Sequence, residues 1–179
     1  MSEHLHDCIY LTASQFVLLS SSAGIRQVGS LFRRPVRELS DENLQESLAA
    51  LYTRGLLRAD ETESETFFQT DAGISDIFRA IREADFAAMF FRLNSQVPDL
   101  LAYIADMTVI AQVSSADENA VRLFSIPYEE AFDWLQEEGY LPGKADPALF
   151  RRELEQAAQG QIVEVRLIDT DRYLCTGLE

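Results

Sequence analysis

The chain has 179 residues, 47% hydrophobic and 25% charged, with a formal net charge of −15. It is globular rather than disordered, long enough for one large domain or two small ones, and its acid surplus opposes duplex DNA, whose affinity for proteins comes largely from Lys and Arg. No run is apolar enough to span a bilayer and no signal peptide stands at the start, so a cytoplasmic protein without membrane contact is expected.

Residues 1–7 read as a frayed terminus carrying both histidines, His4 and His6, beside Asp7 and Cys8. No second ligand cluster accompanies them, so no metal site is expected. Cys8 and Cys175 read as two buried free thiols of a reducing compartment. Residues 8–11 form a strand candidate. Thr12 can cap the following helix, whose apolar positions include Phe16, Val17 and Leu19, and Gly24 ends it.

Residues 25–39 are ambiguous. Val28, Leu31 and Phe32 have partial helical spacing, Pro35 breaks it, and 36–39 can be extended. This segment holds the one basic cluster, Arg26, Arg33, Arg34 and Arg37, which supplies the phosphate contacts if the chain binds DNA. Glu38, Asp41 and Glu42 are close in sequence, and the acid surplus favours a solvated, ion-paired face instead.

Residues 40–57 organise the N-terminal half. Leu44, Leu48, Leu51 and Tyr52 have the spacing of one buried helical face. Ser40 can cap the helix, Asp41 and Glu42 suit its positive end, and Gly55 can take the left-handed conformation that stops it. Leu56-Leu57 and Phe67-Phe68 then flank a polar tip, 60–64, as in a β-hairpin. Thr70 caps a further helix carrying Ile74, Ile77, Phe78 and Ile81.

Helix, hairpin and helix in that order is the outline of a winged helix-turn-helix half. Winged helices bind DNA, but they also dock proteins. A DNA-binding wing usually presents Arg or Lys. This tip presents Asp60, Glu61, Glu63 and Glu65, and the exposed side of the preceding helix offers Glu42, Asn43, Glu46 and Ser47. The four acids of the tip are therefore candidate contacts to a protein partner, and nucleic acid is not the expected ligand.

The texture changes near residues 83–85, dividing the chain into a winged-helix-like part, 8–83, and an antiparallel α+β part, 84–179. Residues 1–83 carry 8 Arg against 13 Asp and Glu, a net −5; residues 84–179 carry 7 Lys and Arg against 17 acids, a net −10. Strand candidates are 86–93, 100–105, 109–113 and 121–126, with a polar loop at 114–119 joining the last two; short loops imply antiparallel pairing. Pro127 fits the first turn of a helix with Phe132, Trp134 and Leu135 inward, closed by Gly139. Asp146-Pro147 opens another helix, with Phe150 and Leu154 inward and Gly160 at its end. Residues 162–168 alternate, with Val163, Val165 and Leu167 on one face and Glu164 and Arg166 on the other. A turn at 169–171 leads to a last strand, 172–176.

The chain shows no glycine-rich phosphate loop, no zinc-spaced Cys or His pairs and no Gly-x-Ser-x-Gly elbow. Glu129-Glu130 and Glu137-Glu138 are neighbours that do not converge on one helix face. No catalytic residue, metal or cofactor is assigned, and a non-enzymatic role is expected.

Two resemblances follow from these motifs. Residues 12–82, through LYTRGLL and FFQTDAG, resemble MarR-type winged-helix regulators, which implies a DNA-binding alternative. The order of YLTASQFVLL, ENLQESLAALYTRGLL, ISDIFRAI with AAMFFRL, AVRLFSIPYEEAFDWL and IDTDRYL resembles the EspG-like chaperones of type VII (ESX) secretion. This chain is shorter and has a longer acidic hairpin after Arg-Gly-Leu-Leu. That resemblance implies a cytoplasmic chaperone whose partner is a secretion substrate. The expected fold is α+β, a winged-helix-like N-terminal half packed on a mainly antiparallel sheet with flanking helices.

Overall fold

The computed structural model describes residues 8–23, 25, 41–61, 66–70, 72–114, 120–158 and 162–178. Its elements in chain order are β1 (Ile9–Thr12), α1 (Ala13–Ser22), α2 (Asp41–Thr53), β2 (Leu57–Glu61), β3 (Thr66–Thr70), α3 (Ala72–Glu83), β4 (Phe86–Phe91), β5 (Leu100–Ile104), β6 (Met107–Val113), β7 (Ala120–Pro127), α4 (Tyr128–Glu137), α5 (Pro147–Ala158), β8 (Val163–Leu167) and β9 (Tyr173–Gly177). Seven strands build one sheet in the order β1-β7-β6-β5-β4-β8-β9, and β2 pairs with β3 in a separate hairpin. All neighbours in the large sheet are antiparallel except β4 and β8, which run parallel. The expected α+β class, with a mainly antiparallel sheet and flanking helices, is what the chain forms. The two halves share this sheet, because β1 pairs with β7 in the register Ile9↔Leu123 to Thr12↔Ala120.

Both faces of the sheet are covered, and the strand residues show why. Successive side chains point to opposite faces. On β4, Ala87, Met89 and Phe91 join a core with Phe16, Leu51, Ile74 and Phe78 from α1, α2 and α3. Ala88 and Phe90 join a second core with Phe132, Leu135, Phe150 and Leu154 from α4 and α5. β5 is buried along its whole length for the same reason. A central strand that is apolar on both faces cannot be placed at a solvated edge without exposing one of them; each large side chain so buried contributes about 1.5–3 kcal/mol.

The helix signals work locally. Thr12 and Gln15 form a capping box: the Thr12 hydroxyl accepts from the Gln15 backbone, and the Gln15 side chain accepts from the Thr12 backbone at 3.0 Å. Gly55 has a φ of 71°, the left-handed stop expected after α2, and Gly139 does the same after α4 with a φ of 76°. On α3, Ile74, Phe78 and Ile81 are buried at one-face spacing. The order α2, hairpin, α3 matches the order expected over 40–82.

Several details differ from expectation. Tyr52 is 57% exposed and does not share the buried face of Leu51 that its spacing predicts. Ser47, at 8% exposure, takes its place, so the buried stripe centres between Leu44 and Leu51; Tyr52 lies about 90° round the helix from that centre. Pro127 ends β7 and stands as the N-cap of α4 rather than inside its first turn. The last strand runs one residue later than expected, to Gly177. The expected signals at Gly24, Ser40 and Gly160 and most of the loop 114–119 lie outside the described residues.

Candidate functional site

The residues singled out by sequence fall unevenly. Asp60 and Glu61 sit on β2, opposite Phe67 and Thr66. Glu63 and Glu65 lie outside the described residues, as do Arg26, Arg33, Arg34 and Arg37, and the terminal His4, His6 and Asp7. Cys8 and Cys175 are free thiols, half-buried rather than buried. Cys8 adjoins β1 and Cys175 is on β9, the two outermost strands of the sheet. Among the described residues no group of three or more His, Cys, Asp and Glu could hold a metal ion.

One polar cluster ties four elements together. Arg92 follows β4, Asp99 precedes β5, Gln112 is on β6 and Tyr140 follows α4. The Arg92 guanidinium donates to Asp99 at 3.1 Å, to the Glu138 carbonyl at 2.8 Å and to the Tyr140 hydroxyl at 3.1 Å. It also stacks over the Tyr140 ring, 4.4 Å from its centroid. Gln112 donates to the same hydroxyl at 3.2 Å. Burial and the nearby Asp99 push the Tyr140 phenol up to about 12, against the pull of Gln112 and Arg92. The phenol is protonated at neutral pH, and the cluster links the ends of β4, β5 and α4 to β6 through hydrogen bonds.

The second feature lies between α5 and β9. Phe150 of α5 meets Tyr173 edge to face at 5.4 Å. The Tyr173 hydroxyl donates to the Glu153 carboxylate. Beside this contact runs an open groove of about 360 Å³, lined by Glu153, Gln156, Ala157, Tyr173, Leu174 and Cys175. Further along β9, α5 comes so near that a Cβ on Gly177 would stand 2.2 Å from the Ala157 carbonyl oxygen. Burial first, then the Glu153 charge, pushes the Cys175 thiol up to about 12. Burial and the Glu153 hydrogen bond raise the Tyr173 phenol as well. Both groups are thus protonated at neutral pH, and the groove's one charged group is the Glu153 carboxylate.

The outer edge of β9 has no partner strand among the described residues. Its pairing with β8 fixes which backbone groups face outward. The Ile168 amide donates to the Arg172 carbonyl at 2.9 Å, and the Leu178 amide donates to the Ile162 carbonyl at 2.9 Å. Antiparallel ladders alternate bonded and non-bonded pairs. With Ile168↔Arg172 and Ile162↔Leu178 bonded, Leu174 and Thr176 also point their backbone groups at β8. Tyr173, Cys175 and Gly177 therefore point theirs away from the sheet.

The same corner carries exposed apolar side chains. Leu174 is 53% exposed, Ile168 47% and Leu93 41%. Leu93 follows β4 and Ile168 follows β8; these strands run parallel, so both residues leave the sheet at the same end. β9 starts there too, with Leu174 opposite Arg166. Arg166 is committed elsewhere, stacked 3.7 Å over Phe91 and paired with Glu164 at 3.1 Å.

Sequence reading missed this groove. The pattern places Phe150 and Leu154 inward on α5 and marks the last strand, but assigns no role to Glu153 or Gln156. The available signal was the alternation of Tyr173 and Cys175 against Leu174 and Thr176. No family model, curated protein or solved structure matches the chain. No helix among the described residues is long and apolar enough to cross a membrane.

Proposed function

We propose that the chain is a non-enzymatic, cytoplasmic protein-interaction protein that holds a partner at the β4–β8–β9 end of its sheet. The observation that carries this reading is the exposure of Leu93, Ile168 and Leu174 at one corner of a chain with a net charge of −15. Apolar side chains grouped on an otherwise charged surface mark a surface that a partner covers. The acidic run of Asp60, Glu61, Glu63 and Glu65 in the sequence offers a second contact whose charge selects a basic partner.

Within that reading, the chain acts as a chaperone or accessory protein of a type VII-like secretion system, with a secretion substrate as partner. The support is the order of elements: a first strand and Thr-capped α1, an acidic α2 running into Arg-Gly-Leu-Leu, α3 leading into β4, and the Asp-Thr … Arg-Tyr-Leu run between β8 and β9. A second reading, a winged-helix regulator of transcription, is favoured by the α2–hairpin–α3 order alone. The test is a full chain carrying Leu93→Ser, Ile168→Thr and Leu174→Thr. Its unfolding midpoint should match the unmodified chain, and its partner should no longer co-purify. Sequence-selective DNA binding by the unmodified chain, tighter than non-specific levels of about 10 μM at physiological salt, would favour the second reading.

A further inference from the structure

We propose that the outer edge of β9 accepts an extended, cationic segment of the partner protein as an added strand, with alternate side chains of that segment seated in the α5–β9 groove. This rests on the protein-interaction reading and names its site and the chemistry of its partner.

Three observations converge. The first is the edge itself: Tyr173, Cys175 and Gly177 direct amide and carbonyl groups outward, and no described strand meets them. The residues of β9, Tyr-Leu-Cys-Thr-Gly, include no charge and no proline. Those are the devices by which outer strands are usually protected from pairing with another chain. An edge left without them is a template for strand addition, in which the main chain supplies affinity and side-chain pockets supply selectivity.

The second is the groove. Its lining is shared between α5, through Glu153, Gln156 and Ala157, and the edge strand β9, through Tyr173, Leu174 and Cys175. A segment paired to β9 has every second side chain on the face covered by α5, and those side chains meet Glu153, Gln156 and Ala157. Two residues beyond Cys175, α5 lies close over β9: a Cβ on Gly177 would stand 2.2 Å from the Ala157 carbonyl oxygen.

The third is charge, which decides the occupant. Glu153 lines the groove, and the turn entering β9 carries Asp169, Asp171 and Arg172, a net −1, with Arg172 paired to Asp169 and Asp171 exposed. The Glu153 carboxylate accepts one bond from Tyr173 and has lone pairs left for a further donor. A Lys or Arg on the added strand supplies that donor, and the chain's net −15 draws such a segment in. A second copy of this chain fits poorly, since two β9 edges paired together bring two α5 walls, each with its Glu153, toward one another.

Selection of a random library of short peptides on the immobilised full chain tests this. Enriched peptides should combine β-branched residues with Lys or Arg. A synthetic enriched peptide should slow amide hydrogen exchange at Tyr173, Cys175 and Gly177. Two variants probe the mode. Cys175→Pro removes an outward amide while leaving the β8 ladder intact, and Glu153→Lys reverses the groove's charge. Each should weaken peptide binding by about tenfold or more. If Cys175→Pro does not fold, Glu153→Lys and the exchange pattern decide. Failure to enrich any peptide, enrichment of acidic peptides, protection elsewhere in the chain, dimerisation through β9 in place of peptide binding, or unchanged affinity in Glu153→Lys would each overturn the inference. A partner that co-purifies equally with the unmodified chain and both variants removes β9 and leaves the protein-interaction reading standing; absence of any partner for the unmodified chain removes both.

Discussion

Tyr140 and Arg92 meet twice: the guanidinium donates to the phenol at 3.1 Å and stacks on the ring 4.4 Å from its centroid. Tyr140 is 0% exposed, so its hydroxyl relies on Arg92 and Gln112 instead of water. Tyr140→Phe keeps the ring and leaves the Gln112 amide without its acceptor. The expected loss is about 1–2 kcal/mol of unfolding free energy. A urea titration should show a lower midpoint at unchanged slope. An unchanged midpoint would mean that these hydrogen bonds do not stabilise the fold.

The raised phenols and thiol make stability depend on alkaline pH. Burial is the first cause in each case, with Tyr128 and Tyr140 pushed up to about 12 and Cys175 likewise. In the unfolded chain a tyrosine titrates near about 10 and a cysteine near about 8.5. The folded state therefore holds these protons more tightly. Their stabilising contribution is complete below the unfolded values and is lost as the pH rises toward about 12. Unfolding free energies measured from neutral pH upward should fall across that window, with tyrosinate absorbance appearing together with unfolding. A flat profile would contradict the burial of these groups.

Cys175 should also be a slow nucleophile. Its thiol, held near about 12 by burial and by Glu153, supplies little thiolate at mildly alkaline pH. Iodoacetamide should label it far more slowly in the folded chain than in urea, as mapped by mass spectrometry. Glu153→Gln should leave labelling slow, because burial is the larger cause. Labelling at the rate of the unfolded chain would show that the thiol is not held in the groove as described.

At Gly177 the backbone of α5 lies close over β9. An added Cβ would stand 2.2 Å from a backbone oxygen, which cannot turn aside as a flexible side chain can. Gly177→Ala should cost about 1–3 kcal/mol, the range of overpacking. It should also weaken any ligand of the groove, because α5 must shift. Wild-type stability in that variant would mean that the wall of the groove is softer than the structure indicates.

Much of the architecture was legible residue by residue. Phe150 and Leu154 announce the buried side of α5, Val163 and Val165 that of β8, and Thr12 the start of α1. What pairs with what was not legible. The run Phe86–Phe91 is apolar on both faces, so its pattern says that it is central but not that its neighbours are β5 and β8. The pairing of Ile9 with Leu123 spans over a hundred residues and leaves no local trace. The groove depends on that long-range order: Glu153 and Tyr173 meet only because α5 lies over the β8–β9 end of the sheet. Glu153 on its own helix looks like any solvated acid. The outward amide of Cys175 is a property of register, which alternation alone does not fix.

The most direct test places a photo-crosslinking residue at Leu174, 53% exposed at the corner the partner is held to cover. The same residue at Asp106, also exposed and distant in sequence, serves as the control. Irradiation of cells expressing the full chain should give a discrete adduct with one partner protein from position 174, lost when Glu153→Lys is added. The control position should not give it. Adducts only between copies of this chain, or none at position 174 while Asp106 labels a protein, would contradict the account.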